Sequence, residues 1–474
     1  MQRIRPFVIF LLFLGVALLL RFFSFFPSVI NHDESTYIVI SDTLLAGYTY
    51  QADYIDTKPA GIFLLYALLQ LLMGKSILLL RIAAAATLAA TSFFLYRAKR
   101  SFGSRPAAAF AAGMMYLFLN SIFTYYGVSP NTETFFNLFT ALALWIYCSR
   151  PALWAYFIAG LSLGLGFVIK YVVLFDGIAF GLFLLWQARQ GQGRWAAAWS
   201  KILLLALGAA LPFLAVIAYY QHIGHLEEFW FYTFIVSGRY IESKGILDNL
   251  TFFLDFTLRF LPVSLFFFYA LFSRKVHLPS RQFGSLWAVL ALMAVLLPGK
   301  LFGHYFIQFM LPFCFLAGEF FAIPRETLPK GLRWLRQPKI AYPLLGLLLV
   351  SNLFLQYKDY YLKPDYPRQV AAFLAPQLAA DDIVYTRNDQ ITYHLLGKLP
   401  PLPYVHPSLF WEAQHLAALE ISREKEIQKL KDQHPRFMIF RNPEYALPFT
   451  EFLEKEYRLV KVIGERVSIY ERVR

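Results

Sequence analysis

Between two strongly apolar stretches, residues 31–61 read NHDESTYIVISDTLLAGYTYQADYIDTKPAG. This segment holds Asp33, Glu34, Asp42, Asp53, Asp56 and Lys58, interleaved with Tyr37, Tyr48, Tyr50 and Tyr54. An ionised carboxylate can take a proton from a hydroxyl or amine. A neighbouring ammonium can stabilise an anionic group as its charge develops. A further acid, Glu133, ends TYYGVSPNTE (124–133) at the mouth of another apolar run. The 221–248 segment adds His222, His225, Glu227, Glu228, Arg239 and Lys244, and PGKLFGHYF adds Lys300, His304 and Tyr305. One reaction suits such a mixture: transfer from an anionic lipid carrier to a hydroxyl or amine. The acceptor needs a carboxylate base, and the departing lipid phosphate needs cations. Phosphate leaves as a weak base, so a separate general acid is dispensable.

Each of these residues also has a plainer reading. Asp33 and Glu34 could cap an interfacial helix, although adjacent acids beside a membrane are costly and rarely idle. Asp56 and Lys58 could be an ordinary loop pair, and Glu133 could cap the helix that follows it. Arg239, Lys300, His304 and Tyr305 could snorkel to the interface. For Lys170, between two apolar runs, snorkelling is the stronger reading. His222 and His225 have i, i+3 spacing but no fixed partners, so a metal pair is the weaker reading.

The elements that position these residues follow from composition. Of the 474 residues 58% are hydrophobic, 18% aromatic and only 16% charged, against about 25% charged in soluble domains. Runs such as PFVIFLLFLGVALLL and AYPLLGLLLVSNLFL approach bilayer length, which is roughly 20 apolar residues. Unbroken runs of this kind predict a polytopic α-helical membrane protein and exclude a β-barrel, whose strands alternate. The net charge of +14 gathers in short connections between apolar runs, as in cytoplasmic loops, and gives no case for nucleic acid. Cys148 and Cys314 fall inside apolar runs and read as small core residues. The basic N-terminal start has no small-residue cleavage site after it, which predicts a retained first span.

Loop charge sets the expected topology. Segments 1–5, 97–105, 150, 189–194, 273–281 and 324–339 hold seventeen Lys and Arg, against six in segments of the opposite parity before the tail. This bias requires AGIFLLYALLQLLM (60–73) to lie on the outer face as an interfacial or re-entrant helix. Its length agrees, since such a helix reaches only about 21 Å against a core of roughly 30 Å. Spans are then expected near 6–26, 76–96, 106–123, 134–149, 152–169, 171–187, 200–220, 249–272, 282–298, 305–322 and 340–356, about eleven, with the N-terminus inside. The pair around Lys170 could instead be one broken helix. Asp33, Glu34, Asp56, Lys58, Glu133 and the later basic loops would then share the outer face, and the carboxylates would converge on one cavity there.

After residue 357 the pattern changes. DDIVYT, RFMIF, YRLVKVIG and RVSIYERV read as strands, and LFWEAQHLAALEISREKEIQKLKDQ has helical period. Two parts are expected: a membrane part over 1–356 and a small α/β domain over 357–474, placed outside by the parity of the spans.

HDESTY followed by DTKPAG resembles the first outer loop of the GT-C glycosyltransferases of the protein mannosyltransferase and lipid A aminoarabinose transferase type. That pattern is an acidic pair with a following Tyr, then D-x-K-P-P, an apolar stretch and a basic turn with Phe-Gly, matched here by KRSFGSR. Glu133 falls at a second acidic position of that family, and GHYFIQFMLPFCFLAG is similar to a late span. The resemblance covers roughly residues 1–320, and the first-loop pattern is its most specific part. Two departures stand out: Ala60 replaces the second Pro, and Glu133 replaces an acid that is Asp in many members.

The resemblance implies a GT-C fold and a polyprenyl-phosphate-linked sugar as donor. It also implies a lipid, glycan or protein acceptor on the non-cytoplasmic side. Asp33 would be the base, Glu34 would orient it or the acceptor, and Lys58 with Arg239 or His304 would hold the phosphate. Tyr37, Asp56, Lys300 and Tyr305 complete the expected substrate contacts, and direct displacement would invert the anomeric centre. The acids fit a metal-free site and a divalent metal equally well. A bacterial inner membrane fits best. Two rival functions fit the sequence less well. A transporter or flippase of lipid-linked sugars would need charges along a path between helices, yet the runs hold only Asp176, Asp255 and Glu319 as acids. A glycan polymerase or ligase would carry a large Arg-rich outer loop, and 221–248 is modest.

Overall fold

The computed structural model describes residues 5–122, 127–150, 152–239 and 244–473. Arg3 of the basic N-terminal start and residues 124–126 of TYYGVSPNTE lie outside the described residues. The chain is mostly helical and divides into two compact units. The first comprises 1–25, 81–219 and 241–359; the second comprises 26–80, 220–240 and 360–474.

The first unit is built of apolar helices. Each run expected to span carries helix, and among the described residues five helices are long and apolar enough to cross a membrane by length and composition. A bent pair makes a sixth. The stretch expected as one span at 249–272 is sharply bent: Ile246–Arg259 and Leu261–Phe272 meet at 108°. Pro262 sits in the first turn of the second helix. It cannot donate a backbone hydrogen bond, and its ring clashes with the carbonyl four residues back, so the first helix ends there. The break at Lys170 is also real. This residue is extended (φ −157°, ψ 125°) between Leu153–Ile169 and the helical residues that follow.

Small residues let two of these helices approach closely. A Cβ on Gly160 would strike the Leu205 carbonyl, one on Gly164 the Ala209 carbonyl, and one on Gly208 the Phe157 carbonyl. Gly160 and Gly164 thus form a small-xxx-small face against Trp195–His222. Gly160→Val should cost about 1–3 kcal/mol through overpacking. It should be read as a lower midpoint of thermal unfolding in detergent, with Gly15→Val, where a Cβ meets nothing, as the neutral control.

Several charged residues inside this unit are paired. Asp176 accepts from Trp287 Nε1 at 2.6 Å and Gln308 Nε2 at 2.9 Å. Lys99 was counted among the cytoplasmic loop charges, yet its side chain is buried and its Nζ lies 2.6 Å from Glu319 Oε1. The KRSFGSR turn closes through Gly103 at φ +87°, a conformation that glycine adopts at little cost. Cys148 and Cys314 are both free thiols.

The second unit gathers the first-loop segment, a middle segment and the tail. Asn31 caps the helix His32–Leu45, its side chain accepting from the Glu34 N–H at 2.9 Å. Pro59 precedes Ala60–Met73, so Ala60 begins this helix directly after the turn. The four expected tail strands form one sheet: β1 (Val384–Arg387), β2 (Phe437–Phe440), β3 (Tyr457–Ile463) and β4 (Val467–Arg472), in the order β1-β2-β4-β3. β1 and β2 run parallel; the other pairs are antiparallel. The single helical stretch expected between β1 and β2 is instead three short helices, Pro407–Trp411, Ala413–Leu419 and Arg423–Asp432. Glu420 ends the second with a left-handed φ of 59°, and Ser422 caps the third by accepting from the Lys425 N–H.

The tail helix Ile391–Leu396 packs on His32–Leu45. Gln390 Nε2 donates to the His32 carbonyl at 3.0 Å and to Thr36 Oγ1 at 3.2 Å. His394 Nδ1 lies 2.7 Å from Asp42 Oδ2, both side chains buried, and Lys75 Nζ lies 3.0 Å from Asp42 Oδ1. Asp42 is therefore a structural anchor. Asp53 closes a local turn, its Oδ2 accepting the Thr49 N–H at 2.7 Å.

Candidate functional site

Asp33 and Glu34 occupy the first turn of His32–Leu45, at the positive end of its dipole, where a carboxylate is stabilised. Glu34 is buried, whereas Asp33 keeps 21% of its side-chain surface exposed. Tyr37, one turn on, is buried among Phe63 and Tyr66.

The D-x-K segment folds back on this helix end. Asp56 Oδ1 accepts the Lys58 N–H at 3.0 Å, an Asx-type turn that aims the Lys58 side chain. Lys58 Nζ then lies 2.9 Å from Asp33 Oδ1, 3.7 Å from Asp56 Oδ1 and 5.5 Å from the centre of the Tyr37 ring. Tyr50 OH pins the turn from behind, 2.5 Å from the Lys58 carbonyl and 2.9 Å from that of Asp56. Asp56 itself is buried, and its Oδ2 has no hydrogen-bond partner among the described residues. An unsatisfied buried carboxylate oxygen is costly, and such atoms concentrate where something else binds.

One contributor comes from the tail and carried no signal in the sequence. His406 Nε2 lies 3.6 Å from Asp33 Oδ1. The second unit therefore brings together Asp33, Tyr37, Asp56 and Lys58, and adds His406. Glu34 shares their helix turn. Arg239, expected at the phosphate, is engaged elsewhere in this unit. Its Nη1 lies 2.6 Å from Glu420 Oε1 and 3.1 Å from the Ala418 carbonyl.

The first unit holds a separate cluster. Glu133, in the first turn of Thr132–Ser149, is buried, and its Oε1 pairs with Lys170 Nζ. Thr132 Oγ1 donates to Oε2 at 3.0 Å. Lys170 Nζ also sits 4.0 Å from the centre of the Tyr305 ring. His304 stacks edge-on against Tyr305 with ring centres 4.8 Å apart. Lys300 is buried in the turn preceding them. Lys170, for which interface snorkelling was the stronger sequence reading, is here the direct partner of a buried acid. Lys170 makes this contact from the break, where it is extended between two helices.

Among the described residues no group of three or more His, Cys, Asp or Glu side chains is placed to hold a metal ion. His225 pairs with Glu228 on the exposed surface at 3.3 Å. Chemically, the second unit offers a partly exposed carboxylate next to an ammonium, and the first offers a buried acid paired with a lysine.

Residues 57–219 match the model of the dolichyl-phosphate-mannose-protein mannosyltransferase family. No curated protein sequence matches the chain at a significant level. Among solved structures, ArnT from Cupriavidus metallidurans in the apo state aligns with a TM-score of 0.69 and 17% identity, over 98% of this chain and 97% of that one. The same protein bound to undecaprenyl phosphate gives 0.67 and 15%, over 98% of both chains. The Archaeoglobus fulgidus oligosaccharyltransferase in the apo form aligns at 0.51 and 12%, over 100% of this chain and 75% of that one. The resemblance to GT-C glycosyltransferases read from HDESTY and DTKPAG therefore holds: the chain has the ArnT fold and carries, over residues 57–219, the sequence pattern of the dolichyl-phosphate-mannose-protein mannosyltransferase family.

Proposed function

We propose that the protein is an integral membrane glycosyltransferase that moves one sugar from a polyprenyl-phosphate carrier to a hydroxyl or amine of a lipid, glycan or protein acceptor. The observation that carries this reading is the Asp33–Lys58 contact of 2.9 Å at a partly exposed helix N-terminus. It is a carboxylate set beside a cation and still reachable by substrate. The crystal structure of ArnT with undecaprenyl phosphate lends support, as a protein of this fold that binds such a carrier.

In this reading Asp33 accepts the proton of the acceptor hydroxyl as its oxygen attacks the anomeric carbon. The bond from that carbon to the phosphate oxygen breaks, and the electron pair leaves with polyprenyl phosphate. Attack from the face opposite the phosphate inverts the anomeric centre. Lys58 supplies positive charge as the leaving group develops its own, and Asp56 holds the turn that presents Lys58. Glu34 orients Asp33 or the acceptor, and Tyr37 contributes a contact to the sugar. Glu133 is a second acid of the same reaction, fixed by Lys170. Lys300, His304 and Tyr305 contact donor or acceptor, and Arg239 supports the tail segment that carries Glu420. The reaction takes place on the extracytoplasmic face of a bacterial inner membrane, with residues 357–474 as an α/β region on that side.

Proteoliposomes containing the purified protein and polyprenyl-phosphate sugars labelled in the sugar test the proposal against a flippase. A transferase moves label onto an acceptor and releases unlabelled lipid phosphate. Label that crosses the bilayer with its lipid bond intact would replace this function with transport.

A further inference from the structure

The chain from Pro400 to Ser408 is laid beside the D-x-K loop. Tyr54 OH donates to the Pro400 carbonyl at 3.0 Å, and the Ile55 N–H donates to the Pro403 carbonyl at 2.9 Å. Ile55 and Tyr404 form an isolated parallel bridge. This register carries the following residues to the acidic helix end and sets His406 Nε2 3.6 Å from Asp33 Oδ1, the oxygen that Lys58 holds at 2.9 Å.

The other ring nitrogen is committed. The Ser408 N–H donates to His406 Nδ1 at 3.3 Å, with Ser408 Oγ 2.7 Å away, so His406 is the cap of Pro407–Trp411. A ring nitrogen that accepts an N–H bond carries no proton of its own, so the proton of the neutral imidazole sits on Nε2. That is the nitrogen facing the carboxylate. The same tail is fastened to the acidic helix by Gln390 and by the buried His394–Asp42 contact, so the approach of His406 to Asp33 is anchored at several points.

We infer that His406 is a positioning residue for Asp33: its capped ring aims Nε2–H at Oδ1 across 3.6 Å, an electrostatic contact longer than a hydrogen bond, and with Lys58 it keeps the carboxylate oriented. This inference rests on the reading of Asp33 as the base of the proposed transfer. It gives the tail a definite part in the chemistry, since the residue that aligns the base comes from beyond the membrane-spanning region.

Two substitutions separate this role from simple capping. His406→Asn keeps a side-chain acceptor for the Ser408 N–H, because Asn is a good cap, but is too short to reach Asp33. His406→Gln extends an N–H donor toward Asp33. With the purified protein and a polyprenyl-phosphate sugar, His406→Asn should melt as the parent does. Its kcat should fall on the order of tenfold to a hundredfold with donor KM unchanged, the size of loss that follows misplacement of a catalytic group. His406→Gln should recover part of that loss. Full kcat in His406→Asn would overturn the inference.

If the parent protein transfers no sugar at all, the transferase reading fails, and the inference is then decided by a measurement that needs no turnover. In ¹⁵N NMR of histidine-labelled protein, the signal lost in His406→Asn should report the Nε2–H tautomer and should move in Asp33→Asn. An Nδ1–H tautomer, or a signal indifferent to Asp33→Asn, would contradict it.

Discussion

Asp33→Asn is expected to abolish sugar transfer and to leave the protein folded. Asn has nearly the same shape but cannot take the acceptor's proton, and loss of a general base typically costs about 10²–10⁴ in rate. The position is partly exposed, and the cap of its helix is supplied by Asn31 rather than by Asp33. Losing its charge at the helix N-terminus therefore costs only about 0.3–1 kcal/mol, too little to unfold the protein. Lys58 keeps Asp56 within 3.7 Å, so the cation is not stranded. Turnover at saturating donor and acceptor, set beside the thermal unfolding of the same preparation, gives the comparison. Parental turnover in Asp33→Asn would remove Asp33 from the role of base.

The second large effect belongs to Glu133 and Lys170. Glu133 is buried, while Lys170 keeps 21% of its side-chain surface. Removing one member of a buried ion pair leaves the other charge without compensation, which costs about 3–5 kcal/mol. The exposure of Lys170 puts this pair near the lower end of that range. Lys170→Met should therefore lower stability sharply by leaving the carboxylate unpaired. Glu133→Gln with Lys170→Met should recover much of the loss, because the double variant buries no charge. Unfolding in detergent of the two single variants and the double variant measures the coupling, expected at about 1–3 kcal/mol for directly touching charges. Additive effects would show that the contact contributes nothing to the fold. Activity gives the second readout: the stable double variant should remain impaired in transfer if Glu133 is part of the chemistry.

Much of the helical frame was legible because apolar runs leave a membrane protein few alternatives. Each expected run carries helix, and the tail strands were marked by alternating, β-branched and aromatic segments. The bend between Arg259 and Leu261 was not read, because hydropathy averages over Pro262 and sees one long apolar stretch. The geometry of the candidate site was legible where it is local. Asp56 and Lys58 are two residues apart, and their turn follows from Asp and Pro preferences. Contacts made by tertiary packing carried no such signal. His406 reaches Asp33 across some 370 positions of chain, through a strand-like bridge at Ile55 and Tyr404. The role of Lys170 depended on a helix break whose direction a periodic pattern does not encode. The internal pairing of Lys99 with Glu319 was hidden for the opposite reason: it looked like one more loop charge.

The most direct test counts both products of a single reaction. Purified protein is given a polyprenyl-phosphate sugar carrying one label in the sugar and another in the phosphate, together with acceptors extracted from bacterial membranes. The expected outcome is sugar label on an acceptor and an equal quantity of free labelled polyprenyl phosphate, with both products absent in Asp33→Asn. Donor that comes back intact whichever acceptor is supplied, or products that form equally well in Asp33→Asn, would contradict the assignment of a base-assisted transfer to this site.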